Sequence, residues 1–505
     1  MILAIYRCFS TFFYPTHRDY RCCQGGVHKF SKEIIIVDYQ KSGGNNVARG
    51  RASEVPLSEA AESISKLRRV IVTLAWPVAA EMSLHTITQV VDMAMVGRLG
   101  SEAVAAIGLS FRPIFFVMSV FLGIGEGTTA LVARFIGGDE DSLANRTIHQ
   151  ALLFAAPVAL VLCGIMGVFS GTVMQFMGAE PEVLPLGSTY VRYMSAGLLF
   201  SFLGMVATAG LRGAGDTRTP LQVGAVANVL NVTFNYILIF GRLGFPAMGI
   251  RGAAIATSMT RGLGGIILVA FLYRGDRVLR IPRVNLFNWD FQMIRRILRV
   301  GLPAMAERLM QSVAMMLHFR MLATAGTTVI AAATLAQNIE EMSFLPAIGL
   351  SVSAAALVGQ LLGAGDPDTA EQAGWQSSYL GIAFMGSMGL LFIAIPQVFL
   401  SIYGAEGELL TTGTTFLRIV GLVQVPMALG FVLSGGLRGA GDTTSVMFIT
   451  TGSVWVVRLG LTGLVLFVLE WGAFAAYAAL CADWTVRAVI LIYLFRQGHW
   501  KHTEV

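Results

Sequence analysis

The sequence predicts an all-α polytopic membrane protein with twelve transmembrane helices in two homologous six-helix lobes, related as a parallel repeat. Three observations carry this. Of 505 residues, 55% are hydrophobic and 13% charged, against roughly 25% charged in soluble domains, and the mean hydropathy is +0.67. Apolar runs long enough to cross a bilayer, about 17 to 25 residues each, recur from residue 70 to the end. The octapeptide "GLRGAGDT" stands at residues 210 to 217 and returns unchanged 226 positions later, at 436 to 443.

Taken in order, residues 1 to 68 form an extension without sustained helical period. Its apolar opening is interrupted at Arg7 and is too short for a span. It also lacks the leading positive charge and small-residue cleavage site of a signal peptide. The segment is expected to be disordered or to follow a wrongly assigned start. The N-lobe, residues 69 to 273, holds spans expected at 70 to 97, 110 to 136, 147 to 170, 186 to 210, 219 to 240 and 250 to 273. A linker at 274 to 294 carries Arg274, Arg277, Arg280 and Arg283. The C-lobe, residues 295 to 498, holds spans at 296 to 324, 329 to 362, 373 to 399, 412 to 436, 446 to 469 and 472 to 495, before a tail at 499 to 505.

Lys and Arg collect in cytoplasmic loops, so the linker is expected in the cytoplasm. Lys66, Arg68 and Arg69 before the first span and Arg496 and Lys501 after the last put both termini there too. That needs an even number of spans in each half, which six and six supplies. The membrane body has no lysine, since Lys29, Lys32, Lys41, Lys66 and Lys501 all lie outside it. A Walker-type ATP site needs a lysine beside its Gly-rich loop, so pumping must draw on an ion gradient or a partner protein. No cofactor and no nucleic-acid partner are expected. Among the cysteines, Cys8, Cys22 and Cys23 fall in the extension and Cys163 and Cys481 in apolar spans, with no metal-ligand spacing.

The offset of 226 also pairs Pro77 with Pro303, Glu81 with Glu307, Gly137 with Gly363, Arg192 with Arg418 and Gly204 with Gly430. With six spans per half, both halves enter the membrane in the same sense. The octapeptides then fall at the cytoplasmic ends of the fourth and tenth spans, where glycines permit a tight turn. Their Arg and Asp are expected in water or at headgroups.

An ionisable group inside a span is costly and suggests a functional site. The first span holds Glu81, His85, Thr88 and Asp92, and steps of 4, 7 and 11 return to one helical face. Asn228, Asn231 and Asn235 line one face of the fifth span, and Thr257 adds a hydroxyl in the sixth. Amides supply oxygens to a hard cation or share protons with a carboxylate; gluing helices together is their other reading. In the second half Glu307 matches Glu81, but His318 stands where Asp92 would be. Glu126, Glu340 and Glu341 lie in the second and eighth spans, and one of them is expected to face a water-filled cavity. Arg458 with Asp483, and Asp483 with Arg487, have the spacing of structural ion pairs, and Arg192 and Arg418 that of interfacial anchors.

The stretches "WPVAAEMSLHTITQVVDMAMVGRLG", "TTALVARFIGGDED" and "AAALVGQLLGAGDPDTAE", with the twin octapeptides, resemble the multidrug and toxic compound extrusion (MATE) family over roughly residues 70 to 497, and within it the DinF-type bacterial branch. The resemblance implies V-shaped lobes around a central cavity and cation-coupled export of organic, often cationic and amphipathic, compounds. It implies a multi-pass monomer in the bacterial inner membrane that uses H+ or Na+ as coupling ion. It assigns coupling to Asp92 with Asn231 and Thr257. Asn235 departs from the pattern, since many relatives carry an aspartate there. That leaves Asp92 the sole acid of the N-lobe set, weakens a sodium site at Asp92, Asn231 and Asn235, and favours the proton. A flippase for lipid-linked precursors of the same superfamily is the alternative, and it would want a strongly cationic cavity. A membrane enzyme is not supported, because neither H-E-x-x-H nor G-x-S-x-G occurs.

Overall fold

In a computed structural model the residues described are 33–37, 52–56, 64–274, 279–281 and 288–503. The expectation for residues 1 to 68 falls mostly outside them. Within that extension β1 (Glu33–Val37) and β2 (Ala52–Pro56) pair antiparallel, with Ile35 opposite Glu54. The sequence reading found no element there.

Twelve long helices follow: α1 (Ile64–Gly97), α2 (Ser101–Gly137), α3 (Asp141–Val168), α4 (Leu184–Gly213), α5 (Arg218–Phe240) and α6 (Ile250–Arg274) in the N-lobe, then α7 (Phe291–Ala323), α8 (Thr327–Gly363), α9 (Pro367–Ala394), α10 (Gly407–Gly439), α11 (Thr443–Val468) and α12 (Ala473–Gln497) in the C-lobe. Eleven are long and apolar enough to cross a membrane. The exception is α7, whose 33 residues include Arg295, Arg296, Arg299, Glu307, Arg308 and Arg320.

Several ends differ from the sequence reading. The first, second and seventh helices begin up to nine residues earlier, at Ile64, Ser101 and Phe291. In the first and seventh, charged opening turns continue the helix into the headgroup region while hydropathy registers only its apolar part; the second opens with Ser101 and Glu102 ahead of an apolar run. The third and ninth stop early, and short helices Ser170–Phe176 and Pro396–Ile402 take over. These too are 226 positions apart. The helix ends keep that offset through the fourth pair, from Gly97 and Ala323 to Gly213 and Gly439, whereas α6 and α12, with 25 residues each, start and end 223 apart. In α11, Ser453–Leu459 and Leu464–Val468 are π-helical, a geometry with i→i+5 bonds that often marks functional sites.

The octapeptide turns are built alike. Gly215 and Gly441 adopt φ of 85° and 92°, left-handed values that glycine reaches without strain. Asp216 caps α5 by accepting from the Thr219 backbone N–H at 2.9 Å and its hydroxyl at 2.6 Å. Asp442 caps α11 by accepting from the Ser445 N–H at 3.1 Å. Asp216 is buried. Burial raises its carboxyl above the usual range, and the Thr219 hydrogen bonds oppose that. The arginines are not in water either: Arg212 donates to Glu81 at 2.7 Å and Arg438 to Glu307 at 2.8 Å. The expectation of solvated Arg and Asp is thus corrected, because each lobe supplies a glutamate within reach and four backbone N–H groups need partners at a helix start.

The lobes meet along α1–α8, α2–α7 and α2–α8, in the half of the membrane nearest the linker and both ends of the helical body. There Gln360 Nε2 donates to the Gly213 carbonyl at 2.9 Å and Ser353 Oγ to that of Ile71 at 3.1 Å. A Cβ on Gly137 would overlap the Gln360 carbonyl, and one on Gly363 the Arg134 carbonyl. The tail is held too: Trp500 is fully buried, stacks on Phe495 at 4.6 Å and donates to its carbonyl at 2.9 Å. Lys501 reaches Glu371 at 2.8 Å and Asp368 at 3.1 Å.

Candidate functional site

The N-lobe core brings Asp92 of α1 against α5 and α6. Asp92 accepts from Asn235 Nδ2 at 2.7 Å. With its nitrogen toward α6, Asn231 donates to Thr260 at 3.1 Å and to Thr257 at 3.4 Å. With the amide reversed, its nitrogen donates to both Asp92 oxygens, at 2.9 and 3.0 Å, and its oxygen accepts from Thr260 at 3.1 Å. The reversed amide suits an ionised Asp92, because it turns a donor rather than a lone pair toward the carboxylate. A cavity of about 20 Å³ opens beside them, lined by His85, Thr88, Asp92, Ala227, Asn228, Asn231, Thr260 and Arg261. That is room for one water.

Among the described residues Asn235 Oδ1 is buried without a hydrogen-bond partner. The constellation therefore presents one carboxylate, convergent amides and one orphaned acceptor, a set able to hold a proton, a water or a hard cation.

The first-helix stripe does not act as a unit. Glu81 is engaged by Arg212, Thr88 Oγ1 donates to the Leu84 carbonyl at 2.9 Å, and His85 Nε2 lies 3.3 Å from Gln89 Nε2. His85, Thr88 and Asp92 stay with the cavity, while Glu81 belongs to a helix-to-helix contact. Of the three α5 amides, Asn231 and Asn235 are buried and Asn228 is half-buried at the cavity.

The C-lobe is wired differently. Buried His318 lies with Nδ1 3.2 Å from the Thr462 hydroxyl. Asp483, fully buried, accepts from Arg458 at 2.5 Å, from Arg487 at 3.2 Å and from Ser453 at 2.5 Å. Ser453 and Arg458 are five residues apart in the first π stretch, where i and i+5 are neighbours, so both reach one carboxylate. Glu307 is tied to Arg438, and Glu126 accepts from Arg308 at 2.7 Å. Glu340 is half-buried, with Oε1 lacking a partner among the described residues, and Glu341 is exposed.

Beyond the seam the lobes part, and the stripes that touch below continue upward as exposed apolar surface. Val90 is 64% exposed, Phe116 59%, Met316 55% and Met342 48%. Val90 and Met316 are repeat-related, as are Phe116 and Met342.

The sequence pattern that defines the MatE family matches residues 77–237 and 303–463, two copies that together cover more than half the chain. The chain belongs to the MatE family. It is similar to the probable multidrug resistance protein NorM of Thermotoga maritima, at 28% identity over 444 residues, covering 88% of this chain and 95% of that one. The NorM of Rhodopseudomonas palustris is 28% identical over 466 residues, covering 90% and 96%. Among solved structures, the outward-facing conformation of a multidrug resistance MATE transporter superposes with TM-score 0.80 at 22% identity, covering 87% of this chain and 97% of that one. A MOP-superfamily transporter from Pyrococcus furiosus superposes with TM-score 0.79 at 22% identity, covering 85% and 95%.

This MatE protein is therefore a multi-pass membrane transporter and not an enzyme. Both family copies end before α6 and α12, so Thr257, Thr260, Arg261, Asp483 and Arg487 lie outside them. The sequence reading missed Thr260, Arg261, Arg308 and the four exposed apolar residues. Arg261 carried a signal, because an arginine in mid-span is costly. Thr260 carried none: the pairing across α5 and α6 is a tertiary fact.

Proposed function

We propose that this transporter exports organic, cationic and amphipathic compounds in exchange for protons, working as a single chain in a bacterial inner membrane with both termini in the cytoplasm. The observation that carries this is Asp92, the one carboxylate among the described residues lining the N-lobe cavity, held by amides and not by a fixed ion pair. With the termini inside, the seam closes the cytoplasmic half and the cleft opens outward. Val90, Phe116, Met316 and Met342 offer a greasy surface to an amphipathic cargo, and methionine adapts to varied shapes. Exchange follows if the cargo binds from the cytoplasm while Asp92 is ionised and protonation of Asp92 from outside displaces it.

Sodium would need several oxygen ligands around that carboxylate, and Asn235 supplies an amide where an acid would serve better. A flippase for lipid-linked precursors would need several free cations in the cleft. Arg458 and Arg487 are engaged by Asp483, and Arg308 by Glu126, which disfavours it.

Ethidium efflux from cells stripped of their own pumps, under an imposed pH or sodium gradient, tests the reading. Efflux should follow the pH gradient in wild type and vanish in Asp92→Asn at equal expression. Efflux retained in Asp92→Asn, or driven by sodium alone, overturns it.

A further inference from the structure

Arg261 lies near the middle of α6, half-buried, and lines the same cavity as Asp92. Among the described residues it has no hydrogen bond and no ion pair. Five other arginines within the helices are neutralised by acids: Arg212 by Glu81, Arg308 by Glu126, Arg438 by Glu307, and Arg458 and Arg487 by Asp483; Arg134, at the end of α2, donates to the Thr503 carbonyl instead. At the repeat offset of 226 the counterpart of Arg261 is Arg487, which Asp483 neutralises at 3.2 Å, whereas among the described residues no acid is paired with Arg261. An unpaired guanidinium at membrane depth is expensive, so its position calls for a reason.

The groups facing Asp92 supply one. From α1 comes His85, from α5 the neutral amides of Asn228, Asn231 and Asn235, from α4 Tyr190, and from α6 Arg261. With Asp92 ionised the cavity holds one negative and one positive charge. A sodium ion would bring a second positive charge into a space sized for one water, and would need oxygen ligands that a guanidinium, a donor only, cannot give. A proton needs neither room nor a coordination shell. It bonds to one Asp92 oxygen, and the cavity then carries the single charge of Arg261, which repels a bound organic cation.

We propose that Arg261 is the residue that selects the coupling ion, a fixed cation beside Asp92 that excludes sodium from the N-lobe cavity while admitting the proton. This rests on the proton-exchange reading above and adds the residue that enforces it.

The test is saturable binding of radiolabelled sodium to the purified full-length protein, with transport assayed in proteoliposomes. Wild type and Arg261→Lys should bind no sodium saturably. Arg261→Gln and Arg261→Met should each gain at least roughly tenfold in sodium affinity, the scale on which one nearby charge acts. Adding Asp92→Asn to either should abolish the gain. If both neutral variants transport under a pH gradient, and so are folded, yet bind sodium no better than wild type, the proposal is wrong. Saturable sodium binding by wild type overturns it equally. If wild type exports nothing under either gradient but Arg261→Gln gains Asp92-dependent sodium binding, the export reading falls and this one stands.

Discussion

Arg308 donates to Glu126 at 2.7 Å across the seam between the lobes, and the duplication does not copy this bridge. The repeat-related positions are Met82 and Val352. One side of the pseudo-two-fold seam thus carries a charge pair at positions where the other side carries two apolar side chains. Both partners are part-exposed, so the bridge contributes about 1 kcal/mol and not more.

Glu126→Gln should shift the population away from the closed seam by that amount, a change of roughly fivefold in the equilibrium. Spin labels placed on α2 and α7 would read it as a longer distance component. The exchange Glu126→Arg with Arg308→Glu should restore the short distance. A distribution that ignores both single and double variants would show the bridge to be inert.

Gly137 and Gly363 each pack against a carbonyl of the other lobe, at repeat-related places. Gly137→Ala or Gly363→Ala puts a methyl where backbone already stands, and neither α2 nor α8 can yield without separating. Overpacking of this kind costs about 1 to 3 kcal/mol. Each variant should open the seam and raise cysteine accessibility at Arg134→Cys, while the isolated lobes stay folded; unchanged accessibility would contradict the packing argument.

The paired bonds Arg212–Glu81 and Arg438–Glu307 differ in burial. Glu81 is 17% exposed at its side chain and Glu307 3%. Removing one partner of a buried pair costs about 3 to 5 kcal/mol because the other is left uncompensated. Glu307→Gln should therefore lower the thermal midpoint in detergent more than Glu81→Gln, whose cost is nearer 1 to 2 kcal/mol. The reverse ranking would mean that water reaches the C-lobe pair.

The fold was legible because its signals are local or periodic. Span length, the 226-residue offset and the face shared by His85, Thr88 and Asp92 need only a chain and a helical repeat. The same periodicity left Glu81 open between the cavity and a contact with another helix. A helical wheel places a residue on a face but does not say which neighbouring helix that face meets, and here α4 delivers Arg212 to it. Hydropathy shortened α1 and α7 because charged turns outside the hydrocarbon leave no apolar signal.

By itself, then, the sequence determined twelve helices in two copies, with one carboxylate, Asp92, on a face of the first and three amides on a face of the fifth; that these faces meet was implied only by the family resemblance. What only the tertiary structure decided is the pairing of charges: five deep arginines neutralised by acids, Arg261 without one, and a seam tied on one side by Glu126 and Arg308. The physical reason is distance along the chain. Arg212 and Glu81 are 131 residues apart, and Arg308 and Glu126 are 182, so which partner each charge finds depends on how packed helices cross, information that no local window contains.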